Sequence, residues 1–295
     1  MNRPVIELLT IDQWMEASKE VQATVLQHIR LKDRLVQFLK ETWDQKKELH
    51  QGASGGWRPC ETCEKKGWVP VEPRRPGIHP SQIPQPCLLR IWNEMMGKPK
   101  KEKIDPRTML IFELGHAIHD MFQTYGRSGA WGPIYSHETE ISGTFQELSQ
   151  ELMLEGHADA ENVLTIDDIP GDPNVYLVGL VHEYKSINTN GFEKLTRPKP
   201  EHKMQAMVYS AALNRPVVVY MYFNKNDSNI IDFPVAFEPD LWVSIESKAR
   251  ILKQHHDAKV APPAAPGFHC QQCPYMYDCQ AYKDLQTIKK MAKKP

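Results

Sequence analysis

No apolar run in this chain approaches the roughly 18 residues that a membrane span requires. The opening Met1-Asn2-Arg3-Pro4 also lacks the basic and apolar regions of a secretory signal. Both absences lead to the expectation of a cytoplasmic protein with no membrane partner. An excess of charge is missing too: 36 Lys and Arg against 37 Asp and Glu leave a net charge of −1. That argues against broad electrostatic coating of nucleic acid but leaves room for a local basic groove. Cysteines are few, six in 295 residues; in an intracellular setting they read as metal ligands rather than disulfides. There is no G-x4-G-K-[ST] loop and no internal repeat. With 41% hydrophobic and 25% charged residues, the chain is ordinary globular material for one large domain or two small ones.

The pattern along the chain divides it into four stretches. Residues 1–50 read as an N-terminal helical extension, one long helix or a helical pair over Ile11–Leu49, with Val21, Val25, Ile29, Leu35, Val36 and Leu39 at helical spacing and Lys32 interrupting the stripe. Residues 51–86, rich in Gly, Pro and charge, read as an irregular insertion holding Cys60-Glu61-Thr62-Cys63. Residues 87–260 form the core and 261–295 a cysteine-bearing tail. Within the core, a short helix opens at Pro86-Cys87-Leu88-Leu89-Arg90-Ile91-Trp92. A helix over Arg107–Tyr125 is expected to bury Leu110, Ile111, Leu114, Ile118, Met121, Phe122 and Tyr125. Strands are expected at Tyr135–Ile141, Leu152–Ala160, Val175–Ile187, Val217–Phe223 and Ile230–Phe237, with helices at Pro200–Leu213 and Glu238–Lys259. The fold class is α/β.

Three segments carry candidate chemistry: Gly115-His116-Ala117-Ile118-His119, Gly156-His157-Ala158-Asp159 and Glu183-Tyr184-Lys185. The last ends the apolar run Val175-Tyr176-Leu177-Val178-Gly179-Leu180-Val181, which reads as a buried strand. Residues two apart on a strand share a face, so Glu183 and Lys185 point into one site, roughly 6.6 Å apart along the strand. Tyr184 points the other way but keeps its carbonyl available to a metal. A carboxylate and a lysine at the end of a buried strand are costly without partners, and a metal and a phosphate would provide them. Singly, each segment also has a plainer reading: a packed glycine with a surface histidine, a turn aspartate, a solvated Glu-x-Lys face. Their order and element contexts favour a shared site. Downstream, Gln205 and Tyr209 sit four apart and share a helix face.

This series resembles the RecB-like branch of the PD-(D/E)XK nuclease superfamily, which His119, Asp159, Glu183-Tyr184-Lys185 and Gln205-x3-Tyr209 match in order over about Ser81 to Tyr282; His202 also fits the branch's usual helix. The resemblance implies a restriction-endonuclease-like core, a mixed sheet flanked by helices. It implies Mg²⁺ or Mn²⁺ held by Asp159, Glu183, His119 and the Tyr184 carbonyl. Asp159, Glu183 and Lys185 would be catalytic, with Lys185 orienting or deprotonating the attacking water and stabilising the transition state. Gln205 and Tyr209 would position DNA. The implied activity is a DNA exonuclease working from single-stranded ends, in recombination, repair, phage DNA metabolism or CRISPR adaptation. Any unwinding would then come from a helicase or recombination partner. The alternative is a non-catalytic DNA-binding or assembly subunit that keeps the fold.

Cys270-x2-Cys273-x5-Cys279 with one distant cysteine suits four thiolates around a [4Fe–4S] cluster. Cys87 occupies the place of the lone N-terminal ligand in the iron–sulfur members of the resembling branch, which include CRISPR-associated exonucleases and the AddB nuclease domain. Zinc in the same four thiolates is the alternative. Cys60 and Cys63 form a half-site that His79 could extend. Grouping them with Cys270 and Cys273 would make a zinc site but strand Cys87 and Cys279.

Overall fold

The apolar run Val175–Val181 opens a 13-residue strand, Val175–Ile187, that becomes the axis of the molecule. In the computed structural model, which describes residues 5–29, 31–50, 77–100, 106–142, 147–166 and 175–291, six strands form one mixed sheet in the order β2-β3-β4-β5-β6, with β1 also on β4. The strands are β1 (Val5–Leu9), β2 (Tyr135–Glu140), β3 (His157–Ile166), β4 (Val175–Ile187), β5 (Val217–Asn224) and β6 (Ile230–Ala236). β3 lies antiparallel to β2 and β4, β6 antiparallel to β5, and both β1 and β5 run parallel to β4. β3 takes one edge of β4. β1, beside Val175–Val178, and β5, beside Leu180–Ile187, share the other edge end to end.

Ten helices surround the sheet among the described residues: α1 (Ile11–Glu16), α2 (Lys19–His28), α3 (Leu31–His50), α4 (Leu88–Met95), α5 (Pro106–Arg127), α6 (Glu147–Leu152), α7 (Thr189–Phe192), α8 (Pro200–Leu213), α9 (Pro239–Asp257) and α10 (Gln280–Met291). The period of two splits the strands between two cores. Val178, Leu180 and Tyr184 of β4, with Val217, Val219 and Met221 of β5, face Trp14, Val25, Ile29 and Leu35 of the N-terminal region and Ile118 and Phe122 of α5. Val181, Val218, Tyr220 and Tyr222 face Ala206, Met207 and Tyr209 of α8, Ile245, Ala249 and Leu252 of α9, and Ile91, Trp92 and Met95 of α4. α8 is the crossover that parallel strands β4 and β5 require. It opens on Pro200, whose missing N–H costs nothing at that position, and ends on Asn214 in the left-handed region at φ 51. Gly179 is dictated by packing: a Cβ there would lie 2.4 Å from the Arg215 side chain, which crosses β4 to pair with Glu161 at 2.9 Å.

Three expectations change. The N-terminal stretch is not helical throughout: it also supplies strand β1, and a capping box of Thr10 and Gln13 starts α1, while Ser18 caps α2. Lys32, which broke the stripe, lies at the start of α3, where its N–H meets Asp232 on β6 at 3.1 Å. The strand expected at Leu152–Ala160 is the end of helix α6, a turn through Gly156, and then β3. The alternation of buried Ala158, Ala160, Asn162, Leu164 and Ile166 is what carries β3 onward. The first turns of α5 are not buried: Leu110 is 70% exposed, and Ile111 and Leu114 are exposed as well, whereas Ile118 and Phe122 enter the core. Cys60 and Cys63 lie outside the described residues.

Candidate active site and cysteine pocket

The candidate site sits where the sheet forks. The β3–β4 ladder runs to Ala160 opposite His182, beyond which Ala158 and His157 pair with β2. Asp159 stands in the split. Its Oδ2 accepts the Tyr184 N–H at 2.7 Å, so a side chain replaces the carbonyl a continuing ladder would offer. Its Oδ1 lies 3.4 Å from Nδ1 of His119, reaching in from α5. One turn on, Gln123 donates to the Asp159 carbonyl at 3.1 Å and to Glu138 at 2.6 Å. Glu138 lies at the β2 position between His137 and Thr139, across from Asp159, with its backbone at φ 50. Glu183 and Lys185 share the face covered by α8, as the strand period requires. Glu183 is fully buried, the Lys185 ammonium lies against its Oε1, and its Oε2 has no hydrogen-bond partner among the described residues.

Burial and charge set the protonation of this group. Burial raises Glu183 to about 7; the Lys185 ammonium opposes that rise and the Asp159 charge adds to it. Burial alone would lower Lys185, but the charges of Glu183 and Asp159 outweigh it, so its pKa is raised and it stays an ammonium. Burial opposes the ionisation of Asp159, yet His119 and the Tyr184 N–H hold its pKa below the usual carboxylate value. The same contact, against the effect of burial, raises His119.

Beneath Tyr184 runs a buried polar chain. Asn162 donates to the Trp131 carbonyl at 2.7 Å, and its Oδ1 lies 2.7 Å from Nε2 of His182. His182 Nδ1 lies 3.2 Å from the Tyr184 hydroxyl. Burial pushes His182 down to about 3, so it is neutral; with Nε2–H donating to Asn162, Nδ1 accepts from Tyr184. Phe122 packs on the Tyr184 ring with centroids 5.0 Å apart. The peptide of Tyr184 is thereby held from below while its N–H serves Asp159. From α8, Gln205 hydrogen-bonds Tyr209, which is buried and kept protonated by burial and by the charges of Glu183 and Asp159.

The structure thus brings His119, Asp159, Glu183, Tyr184 and Lys185 together, with Gln205 and Tyr209 on the covering helix. Gln123, Glu138, Asn162, His182 and Tyr222 escaped the sequence reading. Gln123 could have been found four residues after His119, and His182 as a polar interruption of an apolar run; Glu138 leaves no local signal. The donors suit a hard divalent cation: two carboxylates, an imidazole and a carbonyl, with one buried carboxylate oxygen unpartnered. Even so, among the described residues no three His, Cys, Asp or Glu side chains are gathered closely enough to hold a metal ion. The Lys185 ammonium and the Tyr184 N–H hold oxygens that a cation would take.

The four cysteines Cys87, Cys270, Cys273 and Cys279 are free thiols lining one pocket, with Arg90, Asn93, His269 and Tyr275 around them. Cys87 is the N-cap of α4, and the Cys270 thiol accepts the Gly267 N–H at 3.3 Å inside a 3₁₀ turn, Phe268–Gln272. Burial raises the Cys273 thiol. Lys248 of α9 donates to the Ile83 carbonyl at 2.7 Å and to that of Gln85, gripping the loop that delivers Cys87; burial lowers its pKa.

No protein-family model and no curated protein matches this sequence. Among solved structures, similarity is found to the crystal structure of SSO0001, at 15% identity and TM-score 0.40, covering 85% of this chain and 96% of that one. It is found also to LHK-Exo, an alkaline exonuclease from Laribacter hongkongensis, at 14% identity and TM-score 0.43, over 63% of this chain and 90% of that one. A complex of LHK-Exo with dAMP aligns at 14% identity and TM-score 0.43, over 62% and 89%.

Proposed function

We propose that this chain hydrolyses phosphodiester bonds in DNA with Mg²⁺ or Mn²⁺, working from single-stranded ends. The observation that carries the reading is the fork itself. Asp159, Glu183 and Lys185 are gathered beneath one helix, with a buried Glu183 oxygen lacking any partner among the described residues. Such a group costs stability unless a cation and an anionic substrate complete it. Asp159, Glu183, His119 and the Tyr184 carbonyl would hold the cation, which supplies Lewis-acid charge neutralisation and makes water acidic at neutral pH. Lys185, kept as an ammonium, orients the attacking water and stabilises charge building on the phosphate. Gln205 and Tyr209 hold the strand over the fork. Cys87, Cys270, Cys273 and Cys279, which line one pocket, would take a [4Fe–4S] cluster in this reading, with zinc as the alternative occupant.

The test is digestion of end-labelled linear and closed circular single-stranded DNA in Mg²⁺ or Mn²⁺, with EDTA as control. Linear strands should be degraded and circles spared. Asp159→Ala should abolish cleavage, and Lys185→Ala should lose it by about 10²-fold or more while keeping DNA affinity in Ca²⁺. Near-normal turnover by Asp159→Ala sinks the site, and rapid cutting of circles makes the enzyme an endonuclease. DNA binding without cleavage in either metal leaves the non-catalytic subunit.

A further inference from the structure

The first turn of α8 lies over the end of β5. There His202 Nδ1 is 2.8 Å from the Tyr222 phenol oxygen, and the same oxygen accepts the Lys199 N–H at 3.0 Å. The two rings lie against each other, centroids 5.6 Å apart and tilted 31°. The position of the ring proton follows from counting. Burial raises Tyr222 to about 12, so the phenol keeps its hydrogen. The Lys199 N–H is itself a donor and cannot receive it, which leaves His202 Nδ1 as the acceptor. The imidazole hydrogen therefore sits on Nε2, which has no partner among the described residues. Tyr222 is the register partner of Lys185 across β4 and β5, so the phenol and the lysine stem share one face of the sheet. Burial and the charges of Lys185 and Lys199 hold His202 down at about 3, leaving it an uncharged donor beside two cations.

We propose that His202 is a substrate-contacting residue whose Nε2–H donates to a non-bridging oxygen of a DNA phosphate adjoining the one that is cut. Tyr222 acts through it as a positioning residue, locking the tautomer. This rests on the phosphodiester-hydrolysis reading above. A cation would be repelled by Lys185 and Lys199, and a neutral ligand would gain nothing from either charge. A phosphate answers both charges and still offers an oxygen to the imidazole. A third full charge at position 202 would add repulsion, whereas a neutral N–H adds only a directed bond.

The experiment measures affinity in Ca²⁺ for a short single-stranded oligonucleotide carrying one neutral methylphosphonate, stepped along the phosphates nearest the end. For the wild-type protein one position should cost about tenfold in affinity, as for a lost bond to a charged group. His202→Ala should lose about tenfold on the unmodified strand and nothing further at that position. His202→Gln, whose amide N–H can stand near Nε2, should restore most of the affinity, and Tyr222→Phe should fall between. Thermal melts identify any variant that fails to fold; should His202→Ala fail, His202→Gln and Tyr222→Phe carry the same comparison. A methylphosphonate profile identical to wild type in the folded His202 variants overturns the proposal. The underlying reading is tested separately, by cleavage in Mg²⁺. If wild type does not cut, or Glu183→Gln cuts like wild type, that reading fails whatever His202 does.

Discussion

Glu183 is the residue on which the site turns, because its burial is complete and its partners are incomplete. Its pKa is raised from 4.5 to about 7. The folded state thus holds the Glu183 proton more tightly than the unfolded chain does. The associated stability is fully present below about pH 4.5 and is lost as pH rises toward 7. Asp159 has the opposite sign: its lowered pKa contributes stability above the ordinary carboxylate value that disappears as pH falls through the folded one. His119, raised, contributes below 6.5 and fades as pH climbs through its folded pKa. Glu183→Gln removes a buried charge at pH 8 and keeps the shape. Its melting temperature in EDTA should exceed that of wild type at pH 8 by about 3 °C or more, and the gain should vanish at pH 4.5. Adding Mn²⁺ should narrow the difference by stabilising wild type selectively. A variant that melts below wild type at pH 8 would mean that Lys185 satisfies Glu183 fully, leaving no call for a cation.

At the scale of elements, what the sequence revealed depended on how much of the pattern was local. β4 and α8 were legible because each concentrates its signal: an apolar run ending in Glu-x-Lys, and a proline-initiated helix with Gln205 and Tyr209 one turn apart. β3 was misplaced because its inward residues Ala158, Ala160 and Asn162 are small or polar, and an aspartate at 159 looks like a strand end rather than a fork. β1 has only five residues and acquires its partner from β4, 170 positions away in register, so no local window records it. The exposed start of α5 reverses the expectation because periodicity identifies an apolar face but not whether another element covers it. Lys248 was invisible for the same reason: its role depends on a loop 163 residues away in sequence. It makes a prediction for α9. Lys248→Met keeps the stem and removes both bonds to the loop, freeing two carbonyls beside Cys87. The variant should lose about 1–3 kcal/mol in denaturant unfolding and show faster alkylation of Cys87 than of Cys279. Unchanged alkylation would mean that the loop holds its shape without the ammonium.

Across the whole molecule, the cysteine pocket joins the entrance of the core to the end of the described chain. Cys87 precedes α4, whereas Cys270, Cys273 and Cys279 follow the proline run Pro262-Pro263-Ala264-Ala265-Pro266. The C-terminal segment has little apolar burial of its own. From Gly267 to Ile288 the buried residues are Cys270, Pro274 and Tyr275, while Phe268 is 87% exposed and Tyr277 and Ile288 are exposed as well. Under the proposed cluster, its attachment would rest on the four cysteines, since closing a loop of this length costs entropy that so small a contact hardly offsets. Protein purified without oxygen should be brown, with broad absorption near ~400 nm and about four irons per chain. Cys270→Ala should be colourless. Limited proteolysis should then release the segment beyond Pro266 while the sheet and its helices persist, because neither hydrophobic core draws its buried residues from that segment. Colourless wild-type protein with one zinc per chain would assign the same thiolates to zinc. If wild type carries neither metal and its C-terminal segment resists proteolysis as well as the rest, then direct packing holds the segment and the cluster must be abandoned.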